Sequence, residues 1–357
     1  MSLRHWTLVV CLTALSAADL QAQRLFAGVD FATRFDNREY AGTHFADASQ
    51  TFFSARLTPQ AGIRWDERNT LAVAVDLLQD FGDDSDFLSD VKPLIYYKFE
   101  APAVCASAGI FPRETLRGDY GEAFFDSSYL FYNNRISGVM GQYRGRGASF
   151  VELAIDWEGM QSKRTREKFR LLSAGLYDRG GVWYGGYALT LLHYAKTSDP
   201  APDEGVVDHL LVNPFVGARF GNRFEFDIRL GYLQSMQRDR IAENGWVTPK
   251  GGQLEIRVSR WGLTLGNSLY VGQNMMPLYE RYGQALYAGN PFFGTPDSVY
   301  NRTEIGYARR FFGDTLGVRA GLFFHCDGKG LGTSQLLEVN VRLQKTGRER
   351  AFSGEKR

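Results

Sequence analysis

Apolar and polar residues alternate one for one along most of this chain. In residues 251–274, GGQLEIRVSRWGLTLGNSLYVGQN, the apolar Leu254, Ile256 and Val258 alternate with Gln253, Glu255, Arg257 and Ser259. After Trp261-Gly262 the alternation resumes, with Leu263, Leu265, Leu269 and Val271 against Thr264, Gly266, Ser268 and Tyr270. A period of two belongs to a β-strand, whose successive side chains point to opposite faces. The stretch therefore reads as two strands joined by a very short turn. The same pattern predicts strands at 24–35, 50–65, 70–82, 90–101, 104–113, 135–145, 148–159, 166–180, 182–197, 206–221, 223–240, 249–262, 263–274, 297–312, 314–328 and 331–344. The expectation is thus all-β, with about 16 strands and bounds of roughly 14 and 18, because strand ends are weakly marked in sequence.

The connections sort by parity. Short ones fall at Asp66–Asn69, Pro102-Ala103, Arg146-Gly147, Gly181, Asn222, Trp261-Gly262 and Gly313. Long ones cover about 36–49, 83–89, 114–134, 160–165, 198–205, 241–248 and 275–296. A Greek-key sandwich has no reason to sort its loops this way. An up-and-down antiparallel barrel in an outer membrane does, with short periplasmic turns and long extracellular loops. The first strand leads into a long loop, so both termini are expected in the periplasm.

The two faces of each strand then decide what lies inside. Phe224, Phe226, Ile228, Leu230 and Tyr232 oppose Arg223, Glu225, Asp227 and Arg229. Val151, Leu153, Ile155 and Trp157 oppose Glu152, Ala154 and Asp156, and Leu337, Val339, Val341 and Leu343 oppose Glu338, Asn340 and Arg342. In a membrane the aliphatic face meets lipid and the polar face lines the lumen. Closure is obligatory, because an unpaired backbone group in hydrocarbon costs several kcal/mol. Inward charges are expected at Glu152, Asp156, Arg219, Glu225, Asp227, Arg229, Glu255, Arg257, Arg302, Glu304, Arg319, Glu338 and Arg342, together with Asp76 and Asp80. With both signs present, they assign neither anion nor cation preference. Asn267 falls on the lipid side and breaks the pattern. Trp65, Trp157, Trp183, Trp261, Phe311 and Phe312 sit at strand ends, where interfacial girdles form.

Composition narrows the picture without contradicting it. Mean hydropathy is −0.28, a value that hides a barrel because only every second strand residue meets lipid. The net charge of +1 lacks the basic footprint of a nucleic-acid binder. Residues 1–22 read as a secretory signal: Arg4 and His5, an apolar run from Trp6 to Leu15, then Leu20-Gln21-Ala22 before Gln23. The barrel is expected over 23–344 and a polar tail over 345–357. Cys105 and Cys326 remain after the signal and are expected at opposite rims, unpaired.

Two long connections carry candidate chemistry. RETLRGDYGEAFFDSSYLFYNNR (113–135) bears Glu114, Arg117, Asp119, Glu122 and Asp126, which are candidates for a pore constriction; an ordinary surface loop is an equal alternative. MMPLYERYGQALYAGNPFFGTP (275–296) brings Tyr279, Tyr282, Tyr287, Phe292 and Phe293, either a stacking surface for a solute or, by preference, a lid packed on its own side chains. Enzyme signals are thin. Of five histidines, His193 and His209 occur on neighbouring segments with Ser235, and no G-x-S-x-G elbow is present. HCDGKG (325–330) and FGDDSD (81–86) match no metal pattern. No catalytic residue, metal or cofactor is expected.

In strand number and in the long loop after strand five, the chain resembles the general porins, in which that loop folds into the pore and narrows it. DWEGMQSKRTREKF (156–169), GYLQSMQRDR (231–240) and NMMPLYERYGQALYAGNPFF (274–293) resemble an uncharacterised barrel family of Bacteroidota-type Gram-negative bacteria. These resemblances imply an outer-membrane location and supply no substrate. The first expectation is a channel for passive or selective diffusion of small polar solutes. The alternatives are an outer-membrane enzyme acting on lipid or lipopolysaccharide, and a plugged barrel that docks partners. Expected partners are outer-membrane lipid, lipopolysaccharide and small polar solutes, with a homo-oligomer left open and no nucleic acid.

Overall fold

In the computed structural model, which describes residues 23–82, 85–241 and 245–346, sixteen strands close into one antiparallel barrel. They are β1 (Arg24–Glu39), β2 (Thr51–Trp65), β3 (Asn69–Asp80), β4 (Asp90–Glu100), β5 (Val104–Pro112), β6 (Arg135–Arg144), β7 (Phe150–Gly159) and β8 (Lys168–Tyr177) in the first half. The second half holds β9 (Trp183–Tyr194), β10 (Val207–Phe220), β11 (Glu225–Asp239), β12 (Lys250–Arg260), β13 (Leu263–Gly272), β14 (Val299–Phe311), β15 (Leu316–Cys326) and β16 (Leu331–Thr346). Each strand pairs with its neighbours in sequence, and β1 closes on β16 with Asp30 opposite Arg342 and Arg34 opposite Glu338. Closure leaves no edge strand, so the ladder bonds are satisfied all the way round. The signal-peptide reading of 1–22 and residues 347–357 of the expected tail lie outside the described residues.

Two strands run past their expected ends. β1 continues through Asp36 to Glu39 where a loop is expected, because Phe35, Asp36 and Asn37 pair with β2 on one side and β16 on the other. β16 continues to Thr346, two residues into the expected tail, because Thr346 still finds Phe26 on β1. Pairing partners across the closure extend these strands, and periodicity within each strand carries no trace of them.

The short connections are tight hairpins. At Trp261-Gly262 both residues take positive φ, 55° and 87°. This is the handedness a two-residue hairpin needs to match strand twist, and Gly262 meets it without a Cβ penalty. Long connections gather at the other rim, here called the loop end. The connection between β15 and β16 is also at that rim and spans only 327–330.

The outward face is apolar and open: Val73 is 51 % exposed, Ile95 56 % and Leu230 58 %. A soluble barrel would bury such a row. Asn267 does point outward. Its amide exchanges hydrogen bonds of 3.1 Å with Asn301 and donates to Thr303 at 2.9 Å. The exception to the pattern is thus a self-satisfied polar pair. The buried core lies inside the barrel toward the loop end, where two long loops fold inward.

Candidate functional site in the lumen

The connection between β5 and β6 forms a short 3-10 turn, Arg113–Thr115, then two short helices, α1 (Gly121–Phe124) and α2 (Ser127–Tyr132). Its polar groups reach the wall in six directions. Glu114 accepts from Arg342 on β16 at 2.9 Å. The backbone N–H groups of Arg117 and Gly118 each donate to Glu152 on β7 at 2.8 Å, and the Tyr120 hydroxyl adds a third bond to that carboxylate at 3.1 Å. A Cβ on Gly118 would lie 2.5 Å from the Ala174 side chain, so only glycine allows this approach. The Arg117 guanidinium stands 5.6 Å over Phe150. Asp119 meets Arg229 on β11 at 2.7 Å, and Glu122 meets Arg302 on β14 at 3.6 Å. Asp126 holds Arg38 on β1 at 3.1 Å, Ser127 accepts from Arg34 at 2.9 Å, and Tyr132 bonds Ser54 on β2 at 2.8 Å.

Asp126 stands at the N-cap position of α2 but does not cap it. Its carboxylate goes to Arg38 and to the Ser128 hydroxyl at 2.6 Å. These ion pairs leave a mark on the loop acids. Enclosure within the lumen pushes the Asp119 carboxyl up, although its side chain is open to the lumen space, and Arg229 together with the Gly121 N–H and Arg257 more than reverses this, leaving the group below the usual carboxylate range. Burial likewise opposes Asp126, and Arg38, Ser128 and Arg34 hold it below that range. For Glu122 burial wins, and Arg302 offsets only part of it, so its carboxyl is raised.

The connection between β13 and β14 fills the rest of the loop-end lumen. It carries α3 (Tyr279–Tyr282) and two 3-10 turns. Tyr279 stacks on Tyr287, and Tyr282 donates to Asp239 at 2.5 Å. Tyr287 donates to Gln237, accepts the Leu278 N–H at 3.0 Å, and sets its ring 5.2 Å from that of His209. Phe292 stacks on Tyr300 and His325, and Phe293 packs 5.3 Å from Tyr270. Burying each Phe contributes roughly 1.5–3 kcal/mol. All five aromatic candidates therefore contact protein rings or polar groups. The two loops bond each other: Asp126 N–H to Ala288 O, and Asn290 N–H to Glu122 O, both 2.8 Å.

The strand charges face inward, and most of them pair. Asp156 holds Arg113 at 2.6 Å, and Asp227 holds Arg219 at 3.2 Å while accepting from Tyr184. Glu255 accepts from Arg229. Arg302 lies 3.7 Å from Glu304, and Arg319 lies 3.6 Å from Glu338, which also meets Arg34. Glu225 accepts weakly from Ser259 at 3.4 Å, and Arg257 lines a cavity with Asp119, Asp227 and Glu255. That cavity holds about 150 Å3 on the β9–β14 side, and a larger one of about 700 Å3 lies on the β1–β5 and β14–β16 side. Arg34, Asp36, Arg38 and Ser54, which latch the loop to β1 and β2, were not singled out in the sequence. Arg34 and Ser54 lie within the expected strands 24–35 and 50–65, where alternation could have marked them as inward, whereas the polar run Asp36-Asn37-Arg38 carries no local signal of the strand that holds it.

The histidines separate. His209 points inward, buried, with no hydrogen bond to either ring nitrogen, and Ser235 is buried inside beside Gln237 at 2.7 Å. His193 sits on the opposite, outward face, its Nδ1 2.8 Å from Asp208, which also holds Arg240 at 2.8 Å. These three residues therefore form no common site. Asp327 of HCDGKG accepts the N–H groups of His44, Lys329 and Gly330, an ordinary tight turn. FGDDSD falls partly outside the described residues. Cys105 is buried at the turn end and Cys326 is exposed at the loop end, both free.

The fold is that of porins. It matches Pseudomonas aeruginosa OccK5 (OpdH) with a TM-score of 0.53 at 10% identity, over 92% of this chain and 100% of that one. It matches P. aeruginosa OccK8 (OprE) with a TM-score of 0.51 at 8% identity, over 90% and 98%. No curated protein matches the chain in sequence. Residues 17–344 match the family described as lipid A 3'-O-deacylase-type, nearly the whole barrel, and the chain belongs to that family.

Proposed function

We propose that the protein is an outer-membrane channel for small polar solutes, with its long loops outside the cell and both termini in the periplasm. The observation that carries this reading is the charge-lined cavity of about 700 Å3 beside the inward loop. Sixteen strands enclose more space than wall side chains can fill, and here charged side chains line part of the remaining space. The loop between β5 and β6 is the constriction: it crosses the lumen, and its acids pair directly with wall arginines at 2.7–3.6 Å, so that it narrows the passage to the space beside it. Purified barrel in planar bilayers tests this. Discrete conductance steps, with a size cut-off for polar solutes, are expected. A correctly folded barrel that never conducts would overturn the proposal.

A second reading has its own observation. Family membership and the outward His193–Asp208 pair favour hydrolysis of an acyl chain on lipid A. Asp208 would orient the imidazole, leaving Nε2 free to serve as a general base at the loop-end rim. Purified barrel incubated with lipid A, read by mass spectrometry, should then release an acyl chain, and His193→Ala should abolish the release. Intact lipid A with the wild-type protein removes this reading.

A further inference from the structure

The larger cavity lies between the β1–β5 and β14–β16 wall and the inner face of α2, and every charged side chain lining it already has an opposite partner. Arg342 lies 3.1 Å from Asp30 and 2.9 Å from Glu114, and Arg310 lies 3.9 Å from Asp314. Arg56 lies 3.2 Å from Asp76, and Arg113 lies 2.6 Å from Asp156. Arg342 is shared by two carboxylates, so an anionic solute meets a slightly acidic lining, and a cationic one would have to compete with Arg342 for Asp30 or Glu114. For the buried pairs, Arg56 with Asp76 and Arg113 with Asp156, breaking the pair would leave a costly unpaired charge.

What remains available is neutral hydrogen bonding. A guanidinium has five N–H donors and a carboxylate about four acceptor positions, so the paired groups still present unused donors and acceptors in fixed places. Asn340 and Thr315 add an amide and a hydroxyl to the same wall. Across from them α2 offers an apolar ledge, Leu130 at 42 % exposure beside Phe131. A ledge facing an array of alternating donors and acceptors suits a molecule with one C–H face and a rim of hydroxyls. The volume lies within the roughly 300–1,000 Å3 of small-molecule sites.

We propose that this cavity binds a neutral sugar, a mono- or disaccharide. The sugar lies with its ring face on Leu130, at the edge of Phe131, whose ring already carries the Arg56 guanidinium at 4.8 Å, and with its hydroxyls on Arg342, Asp30 and Asn340. The inference rests on the channel reading for the solute's access to the cavity, and it adds the solute's chemical class.

Calorimetric titration of the full-length barrel, in a detergent without a sugar head group, tests it with maltose, gluconate and lysine as probes. Maltose should bind saturably in the millimolar range, more tightly than gluconate or lysine. Leu130→Ala and Asn340→Ala, both at exposed positions that hold no ion pair, should each weaken maltose by up to about tenfold. Glu114→Gln removes one of the two partners of Arg342 and should raise the affinity for gluconate relative to maltose. Tighter binding of gluconate or lysine by the wild type would overturn the proposal, as would no saturable binding of maltose. Conductance is read separately. A barrel that conducts and does not bind maltose refutes this inference and leaves the channel standing. A barrel that binds maltose and does not conduct refutes the channel and leaves the site.

Discussion

Asp119 reaches Arg229 at 2.7 Å, although the strand that launches its loop, β5, stands six strands from β11 round the barrel. One connection therefore crosses the lumen and is held on the far wall by a charge pair. Deleting 118–127 removes Asp119, Glu122 and Asp126 with the aromatic side chains Tyr120, Phe124 and Phe125. Single-channel conductance should rise severalfold and larger solutes should pass. The β-signature in circular dichroism and heat-modifiable migration on gels check that the barrel still closes. Unchanged conductance and cut-off would show that this loop does not set the passage.

Acid should loosen the same loop. Asp119 and Asp126 have carboxyls held below the ordinary range, Asp119 despite 68 % side-chain exposure. A group with a depressed folded value contributes stability above its unfolded value, about 4, and loses it as pH falls through the folded value. Glu122 has the opposite sign, since its raised carboxyl is a cost when ionised. It is protonated first and relieves strain before the two aspartates let go. Conductance should thus hold steady on mild acidification and climb only once pH drops below the ordinary carboxylate range. Asp126→Asn should bring part of that climb to neutral pH. A pH-independent trace from neutrality to strong acid contradicts the latch.

The two inward loops should act as one plug. A Cβ on Gly289 would stand 2.1 Å from the carbonyl oxygen of Ala123, well inside van der Waals contact. Gly289→Ala should separate the loops locally and cost the bonds from Asp126 and Asn290 that join them. Limited proteolysis should then cut within 275–296 at least several times faster, with thermal unfolding of the barrel little moved. Equal protection of wild type and variant would mean that each loop is held by the wall alone.

How much of this was legible in the sequence follows from what periodicity records. Leu254, Ile256 and Val258 declare an outward face because lipid selects every second residue, and each of the sixteen strands overlaps its expected span. Hairpin register also makes some lumen pairs readable, since Arg219 lies directly opposite Asp227 across the short turn between β10 and β11. The contacts of Arg34 with Ser127, and of Glu114 with Arg342, join segments 93 and 228 residues apart. No local pattern encodes such distances. The reading of 36–49 as loop hid Asp36 and Arg38 for the same reason: the strand persists there through partners supplied by β2 and β16. For the aromatic loop, composition announced stacking but could not say whether the rings would meet a solute or each other.

The cysteines provide a check on orientation. Cys105 opens β5 just after the turn at 101–103 and is fully buried inside, whereas Cys326 closes β15 at the loop rim and is exposed. The apolar band of such barrels is about 25 Å tall, so the two thiols lie on opposite sides of the membrane if the long loops face outward. An impermeant maleimide applied to intact cells should then modify Cys326 and spare Cys105, and Cys326→Ser should abolish labelling. Sealed vesicles of inverted orientation should lose the Cys326 signal, and Cys105 should stay silent in both preparations until the barrel is unfolded. Labelling in inverted vesicles but not in cells would place the long loops in the periplasm. The constriction and its charges would then guard the exit of the passage and not its entrance.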